Sequence, residues 1–599
     1  MFPRVYCKMI IFLIIYSLLS VPGHSSYQIV KTKYGSVRGR VESRGTISIK
    51  TFKGIPFAAA PVKNLRFMPP VTVSPWKEVL DTNQFQPVCP QDFPEIENTT
   101  MALQHISQGR LNYLRRIAPG LKNQSEDCLY LNVYIPISGG AGSRLPVVLL
   151  IHGDSYAWGS GNIYDGSALA AFGNILVVTI NYRLGVLGFL NVNSMKNGGS
   201  TTGVPSNLGI LDQIAAMHWI QENIEDFGGD KDNVTVIGHG RGAASLHFLM
   251  TSDALPHGML FRRVILMSGS ALAPWARASS PTNTSRALAL SLSCPSSPPH
   301  LVVECLRKIS LSTLLAKSTT SGTRNRFLTD YGPSYDGIVV HSFKNKVGEY
   351  LERMARYDMM IGVTSGEGFI FLNHEEMELG LETEGRNRML SDLVTSSYKI
   401  HEKEIFSAIL TEYTNWSSTA RQPISTRDES VEALTDGLYV SPGVESADYH
   451  ASLNKNSWFY VFDYQTKYGD FSQRGGCVHG EELAYVLGYP LLGSYYNNYT
   501  RAEQNLAELV MTYWTNFIIS GNPNFPHIAD REGRGRSSGM VDWSPYDPTY
   551  KKYLHIGPKM KIKDQFRARN RFIQEYNNFF FKFPRCYVLS IQIVRCKKI

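Results

Sequence analysis

The chain has 599 residues, 43% of them hydrophobic, 19% charged and 11% aromatic, which excludes a disordered chain and leaves enough apolar material for a large core. Its 60 basic and 51 acidic residues give a formal charge of +9. No five or six like charges run together, so the concentrated basic stripe of a nucleic-acid binder is missing.

Residues 1–26 stand apart. Arg4 and Lys8 precede an apolar run from Met9 to Val21, and Gly23, Ser25 and Ser26 follow, the layout of a secretory signal peptide. The run is shorter than the roughly 20 residues a membrane span requires. A secretory route gives cysteines and sequons meaning. Beyond Cys7 the cysteines are Cys89, Cys128, Cys294, Cys305, Cys477, Cys586 and Cys596. Adjacent pairing would close Cys89–Cys128 and Cys294–Cys305; the odd number leaves at least one thiol free or intermolecular, and the pairing of Cys477, Cys586 and Cys596 stays open. Asn98, Asn123, Asn283, Asn415 and Asn498 head glycosylation sequons. A sixth, Asn233, falls at a strand start, where partial burial is expected.

Continuous aliphatic runs alternate with helical patterns, the signature of parallel strands buried on both faces. Strands are expected at Val147–Ile151, Leu176–Ile180, Val234–Ile237, Val264–Met267, Met359–Val363 and Trp458–Phe462, with helices at Ile210–Ile224 and Ala243–Met250. No linker divides the chain. The expectation is one large α/β domain over 27–583, doubly wound on a mostly parallel central sheet, then a short tail over 584–599.

The stretch Val234-Thr-Val-Ile-Gly238-His239-Gly240-Arg241-Gly242 runs strand, tight turn, helix, the context of the G-x-S-x-G nucleophile elbow of α/β hydrolases. Gly240 occupies the nucleophile's position. Glycine adopts the required φ > 0 backbone without strain, so the turn is kept while the hydroxyl is lost.

Further motifs accompany that turn: Gly54-Ile-Pro56-Phe-Ala, Leu65-Arg-Phe67-Met-Pro-Pro70, Glu126-Asp-Cys128-Leu-Tyr-Leu131-Asn132, Asn181-Tyr-Arg183-Leu-Gly and Asn207-Leu-Gly209-Ile-Leu-Asp212-Gln213. On these the chain resembles the carboxylesterase/cholinesterase superfamily, with an α/β-hydrolase fold, over nearly its whole length. Gly240, Met511-Thr-Tyr-Trp514-Thr-Asn-Phe517 and Tyr553-Leu-His555-Ile-Gly557-Pro-Lys…Asp564-Gln-Phe566 narrow the resemblance to neuroligins, and to an invertebrate member. The resemblance implies that Glu367 matches the acid position, His479 the base, and Gly153, Asp154 and Arg241 the oxyanion loop. With Gly240 for the nucleophile and Asp154 where a donor glycine would lie, catalysis is not expected, because losing the nucleophile alone costs about a million-fold in turnover. Between Cys89 and Cys128 there is no Trp of the kind that binds cationic substrates in cholinesterases. No intrinsic metal motif is present.

The same resemblance implies a cell-adhesion protein at the synapse, acting through Ca²⁺-dependent binding of neurexin. Ser365 and Gly366 match the partner contact, Ser365 standing where vertebrate neuroligins carry Gln, and Glu375, Glu376, Glu378, Glu382 and Glu384 form an acidic segment beyond it. It also implies a homodimer through Glu404–Tyr413 and a C-terminal helix whose Phe566, Ile573, Tyr576 and Phe580 recur at helical spacing. Neuroligins continue into a stalk and a membrane span; here the apolar stretch Tyr587–Val594 is too short to cross a bilayer, so the expected location is the cell surface or the secreted fraction. Other readings are a neurotactin- or gliotactin-like adhesion protein with another partner, and a residual carboxylesterase or small-molecule sink using the old gorge.

Overall fold

In a computed structural model of the chain, the described residues are 27–44, 47–193, 203–255, 260–320, 326–342, 347–417, 422–453, 455–495, 498–526, 539–566, 586–590 and 593–596. The signal-peptide segment 1–26 lies outside them, as do Ile573, Tyr576 and Phe580.

One 13-stranded sheet organises the described residues. Its strands are β1 (Tyr27–Lys31), β2 (Ser36–Arg44), β3 (Ile47–Pro56), β4 (Leu80–Asp81), β5 (Tyr130–Pro136), β6 (Leu145–Ile151), β7 (Leu176–Ile180), β8 (Gly229–His239), β9 (Arg263–Met267), β10 (Asp358–Thr364), β11 (Ser457–Phe462), β12 (Tyr553–Ile556) and β13 (Lys561–Lys563). They lie in the order β1-β2-β3-β5-β7-β6-β8-β9-β10-β11-β12-β13, with β4 beside β2. The run from β7 through β6 and β8 to β12 is parallel, and the flanks are antiparallel except that β4 lies parallel to β2. Each strand and helix expected from the aliphatic runs is present, several a few residues longer; β8 starts at Gly229 rather than Val234. β7, β9 and β11 are buried at every residue, as strands covered on both faces require.

Most motif residues serve this frame. Arg183 bonds Asp212 through Nη2 at 2.7 Å and Nε at 2.8 Å, with Asp212 fully buried. Arg66 grips Glu126 through two bonds of 2.6 Å. Asn132 accepts from the Gly54 amide at 2.9 Å and donates to Thr179 at 3.0 Å, stitching β5 to its neighbours. Disulfides join Cys89 to Cys128 and Cys294 to Cys305, and Cys477 is a buried free thiol. In the tail, strands Cys586–Ser590 and Ile593–Cys596 pair antiparallel with Cys586 opposite Cys596. Helix Glu402–Glu412 turns Ile405 and Ile409 into the core, and Phe566 rests its ring 5.4 Å from Tyr553 of its own domain. No helix among the described residues is long and apolar enough to cross a membrane.

Candidate functional site

The site lies where β8, β10 and the loops after them end on one edge of the parallel sheet. β8 stops at His239, Gly240 turns at φ 52° and ψ −117°, and helix Arg241–Met250 begins. The flanking glycines are sterically required. A Cβ on Gly238 would meet the Gly242 carbonyl oxygen at 2.5 Å, and one on Gly242 would meet the Ile151 oxygen at 2.4 Å. A Cβ on Gly240, by contrast, would face His479 Nε2 at 3.3 Å. The turn therefore aims its missing side chain at the base.

Glu367 begins the loop after β10, and a bridge between Gly366 and Val478 brings the His479 loop alongside it. Glu367 is fully buried, accepts from the Thr364 amide at 2.7 Å and lies 2.5 Å from His479 Nδ1. Burial, reinforced by the Arg110 and Arg241 charges, pushes the His479 imidazole down to about 3, so it is neutral at physiological pH. Nδ1–H then donates to Glu367 and the Nε2 lone pair faces Gly240. Base and orienter are assembled with no hydroxyl on the turn for them to act on.

The oxyanion positions are altered in main chain and side chain alike. The Arg241 amide, which would donate to an oxyanion, donates instead to the Gly153 carbonyl at 3.1 Å. That carbonyl oxygen is also 3.0 Å from where a Gly240 Cβ would sit. At Asp154, Oδ1 accepts from Tyr113 at 3.0 Å and Oδ2 from Tyr164 at 2.9 Å. Burial and the Asp154 charge hold both phenols well above their usual range, so they remain donors. The Arg241 guanidinium lies over the Trp275 ring at 5.2 Å.

Above the turn is a cavity of about 100 Å³, lined among others by Arg110, Tyr113, Asp154, Tyr164, His239 and His479. Arg110 and Tyr113 come from helix Gln108–Ile117, within the Cys89–Cys128 loop and capped by Ser107, which accepts from the Arg110 amide. His239 is buried, 3.6 Å from Glu482 Oε1. Burial and the Glu367 charge raise the Glu482 carboxyl to about 8, while Ser268 donates to it at 3.0 Å. Arg110, Tyr113, Tyr164 and Glu482 were not singled out from sequence. The available signal was the i, i+3 spacing of Arg110 and Tyr113 on a capped helix, and the second Glu after His479-Gly480.

Ser365 and Gly366, the positions that the resemblance matches to a partner contact, lie on the same β10 loop and do not line the cavity. Ser365 Oγ donates to Asp463 Oδ1 at 2.6 Å, and His555 Nε2 lies 2.9 Å from Asp463 Oδ2. Gly366 is buried, with no room for a Cβ against the Cys477 carbonyl oxygen at 2.5 Å. Of the acidic segment, Glu376 closes a capping box with Asn373 and Glu378 lies 3.5 Å from Arg474. No cluster of three His, Cys, Asp or Glu among the described residues is arranged to hold a metal. Asn98, Asn123, Asn283, Asn415 and Asn498 are exposed. Asn233 instead accepts from Arg263 at 2.5 Å and donates to the Ile519 carbonyl.

Comparison with known proteins places this geometry. The model of the carboxylesterase family matches residues 26–573. Neuroligin-2 of Mus musculus is 34% identical over 581 residues, covering 91% of this chain and 67% of that protein. Neuroligin-1 of Caenorhabditis elegans is 32% identical over 600 residues, covering 94% and 74% respectively. Neuroligin-3 of Mus musculus is 34% identical over 577 residues, covering 90% and 67%.

Proposed function

The chain belongs to the carboxylesterase family, with neuroligin homologues along most of its length, and we propose from that premise that it is an esterase-shaped adhesion protein without hydrolase activity, binding neurexin through a Ca²⁺-dependent contact. The observation that carries the loss of activity is the bond between the Arg241 amide and the Gly153 carbonyl. It fills the space of an oxyanion with a carbonyl oxygen, at a turn where Gly240 offers no nucleophile.

What remains is a rigid surface on a large sheet, and a loop surface positioned by such a scaffold is suited to recognition. The Ser365–Gly366 loop fits the Ca²⁺ requirement in a limited way. Ser365 Oγ and Asp463, whose side chain is 45% exposed, are hard oxygen donors side by side. Two such donors fall short of the 6–8 oxygens Ca²⁺ takes, so the ion would need ligands from the partner and from water, giving a bridge rather than a resident metal. Homodimerisation and a synaptic cell-surface location belong to the same proposal.

The test is binding of the secreted, glycosylated chain to an immobilised laminin/neurexin/sex-hormone-globulin-like domain of neurexin, in millimolar Ca²⁺ and again in chelator. Saturable binding lost in chelator supports the proposal. No binding in either buffer, from protein with a cooperative melt, overturns the neurexin assignment.

A further inference from the structure

The cavity above Gly240 is lined by a guanidinium, that of Arg110, whose one carboxylate contact is long. Arg110 has a side chain only 12% exposed, and its nearest carboxylate oxygen, Asp154 Oδ1, is 4.0 Å away. Among the described residues no group accepts a hydrogen bond from its guanidinium. Asp154 is held where it is by the two tyrosine hydroxyls on its two oxygens. Arg110 is fixed in turn by aromatic rings, 5.0 Å from the Tyr113 centroid and 5.3 Å from that of Trp158. The second arginine on the cavity, Arg116, is already engaged by Asp470 at 2.7 Å. The guanidinium therefore keeps donors open to the cavity, and a planar carboxylate matches its fork with two parallel bonds.

An independent observation points the same way. His239 is 4% exposed, lines this cavity, and has no hydrogen-bond partner for either ring nitrogen. As a neutral imidazole it carries one N–H that no protein group accepts, with Glu482 Oε1 at 3.6 Å from Nε2. The volume, about 100 Å³, is room for several waters or for an acid of a few carbons.

We propose that this cavity binds a small aliphatic carboxylate, held by Arg110 with His239 as a second donor. The site is separate from the Ser365–Gly366 loop, so it stands or falls independently of the neurexin reading.

The experiment is calorimetric titration of the full secreted chain with butyrate and, at matched ionic strength, with butyramide, which has the same shape and no charge. Butyrate is expected to saturate at one per chain, with butyramide at least about tenfold weaker. Arg110→Gln should lose butyrate binding by a similar factor, Arg110→Lys should fall between, and Arg115→Lys, at an exposed position of the same helix off the cavity, should leave it within about threefold. Equal affinity for acid and amide, no butyrate binding up to tens of millimolar, or undiminished binding by a folded Arg110→Gln overturns the proposal. Should Arg110→Gln fail to fold, the acid–amide comparison on the unmodified chain decides alone.

Discussion

Restoring the hydroxyl by Gly240→Ser is the direct test of whether the lost nucleophile is the whole reason for expecting no hydrolysis. The His479–Glu367 pair is already made at 2.5 Å, and a Cβ on Gly240 would sit 3.3 Å from His479 Nε2. Nucleophile, base and orienter would therefore be complete. The backbone at φ 52° would become strained, and the new Cβ would press on the Gly153 oxygen at 3.0 Å, together costing on the order of 1–3 kcal/mol. The oxyanion hole would still be closed. The Arg241 amide is bonded to Gly153, and Asp154 places a carboxylate at a second donor position. One lost donor costs about 100–1000-fold, and the nearby Asp154 carboxylate would add repulsion of a developing oxyanion. Hydrolysis of p-nitrophenyl butyrate by G240S should stay at least about 100-fold below that of a competent esterase, with a melting point a few degrees lower. Adding Asp154→Gly removes the carboxylate but leaves the Arg241 amide bonded to Gly153, so turnover should remain below a competent esterase by at least that factor. Stoichiometric phosphylation of G240S by an organophosphate, with turnover near that of active esterases, would refute the claim that the oxyanion hole is shut.

Burial holds His152, His247 and His479 down to about 3 and His450 to about 4, and with the His479 and Arg110 charges it holds His239 well below the ordinary value near 6.5. Below pH 6.5 the unfolded chain takes protons these groups refuse, so stability falls with pH. Glu481 and Glu482, raised to about 7 and about 8, act oppositely, favouring the folded state at low pH and losing that contribution as pH rises through those values. The five histidines outweigh the two carboxyls, so the melting point should drop as pH is lowered from 6.5 to 4.5; a melting point flat across that window would contradict it. Asp212→Ala strips the partner from the buried Arg183 and should cost about 3–5 kcal/mol, read as a lower denaturant midpoint or lost secretion; a change under 1 kcal/mol would remove the pair from the frame. Glycopeptide mass spectrometry should find glycan on the exposed Asn98, Asn123, Asn283, Asn415 and Asn498 and none on Asn233, whose amide is engaged by Arg263 and Ile519.

The parallel centre of the sheet was legible because its strands need unbroken aliphatic runs, and Val147–Ile151 and Leu176–Ile180 have them. The antiparallel flank was not. β2, Ser36–Arg44, carries three arginines and a glutamate in nine residues, and β3 interrupts its apolar positions with Lys50 and Lys53. There the charges are absorbed by pairing, Lys53 and Arg40 both contacting Glu42, which no periodicity records. At the site, Gly240 could be placed because its strand–turn–helix motif is local, and Glu367 and His479 only through the family resemblance that the local motifs carry. Closure of the oxyanion hole could not, since it is a main-chain bond between residues far apart in sequence. Nor could Arg110, which reaches the cavity only because the Cys89–Cys128 loop folds its helix across the sheet edge.

Why a base and its orienter persist beside a glycine follows from burial rather than chemistry. Glu367 has no solvent exposure, and its carboxylate is held by the Thr364 amide and His479. Removing the imidazole would leave a buried carboxylate short of a partner, which typically costs about 3–5 kcal/mol, a large part of a domain's stability. Replacing a nucleophile by glycine acts in the other direction, since the turn at φ 52° is relaxed by losing its Cβ. Selection for folding alone would therefore tolerate loss of the hydroxyl while keeping the His479–Glu367 pair. The intact pair is what a non-hydrolytic descendant of this fold should contain, and it carries no weight as evidence for turnover.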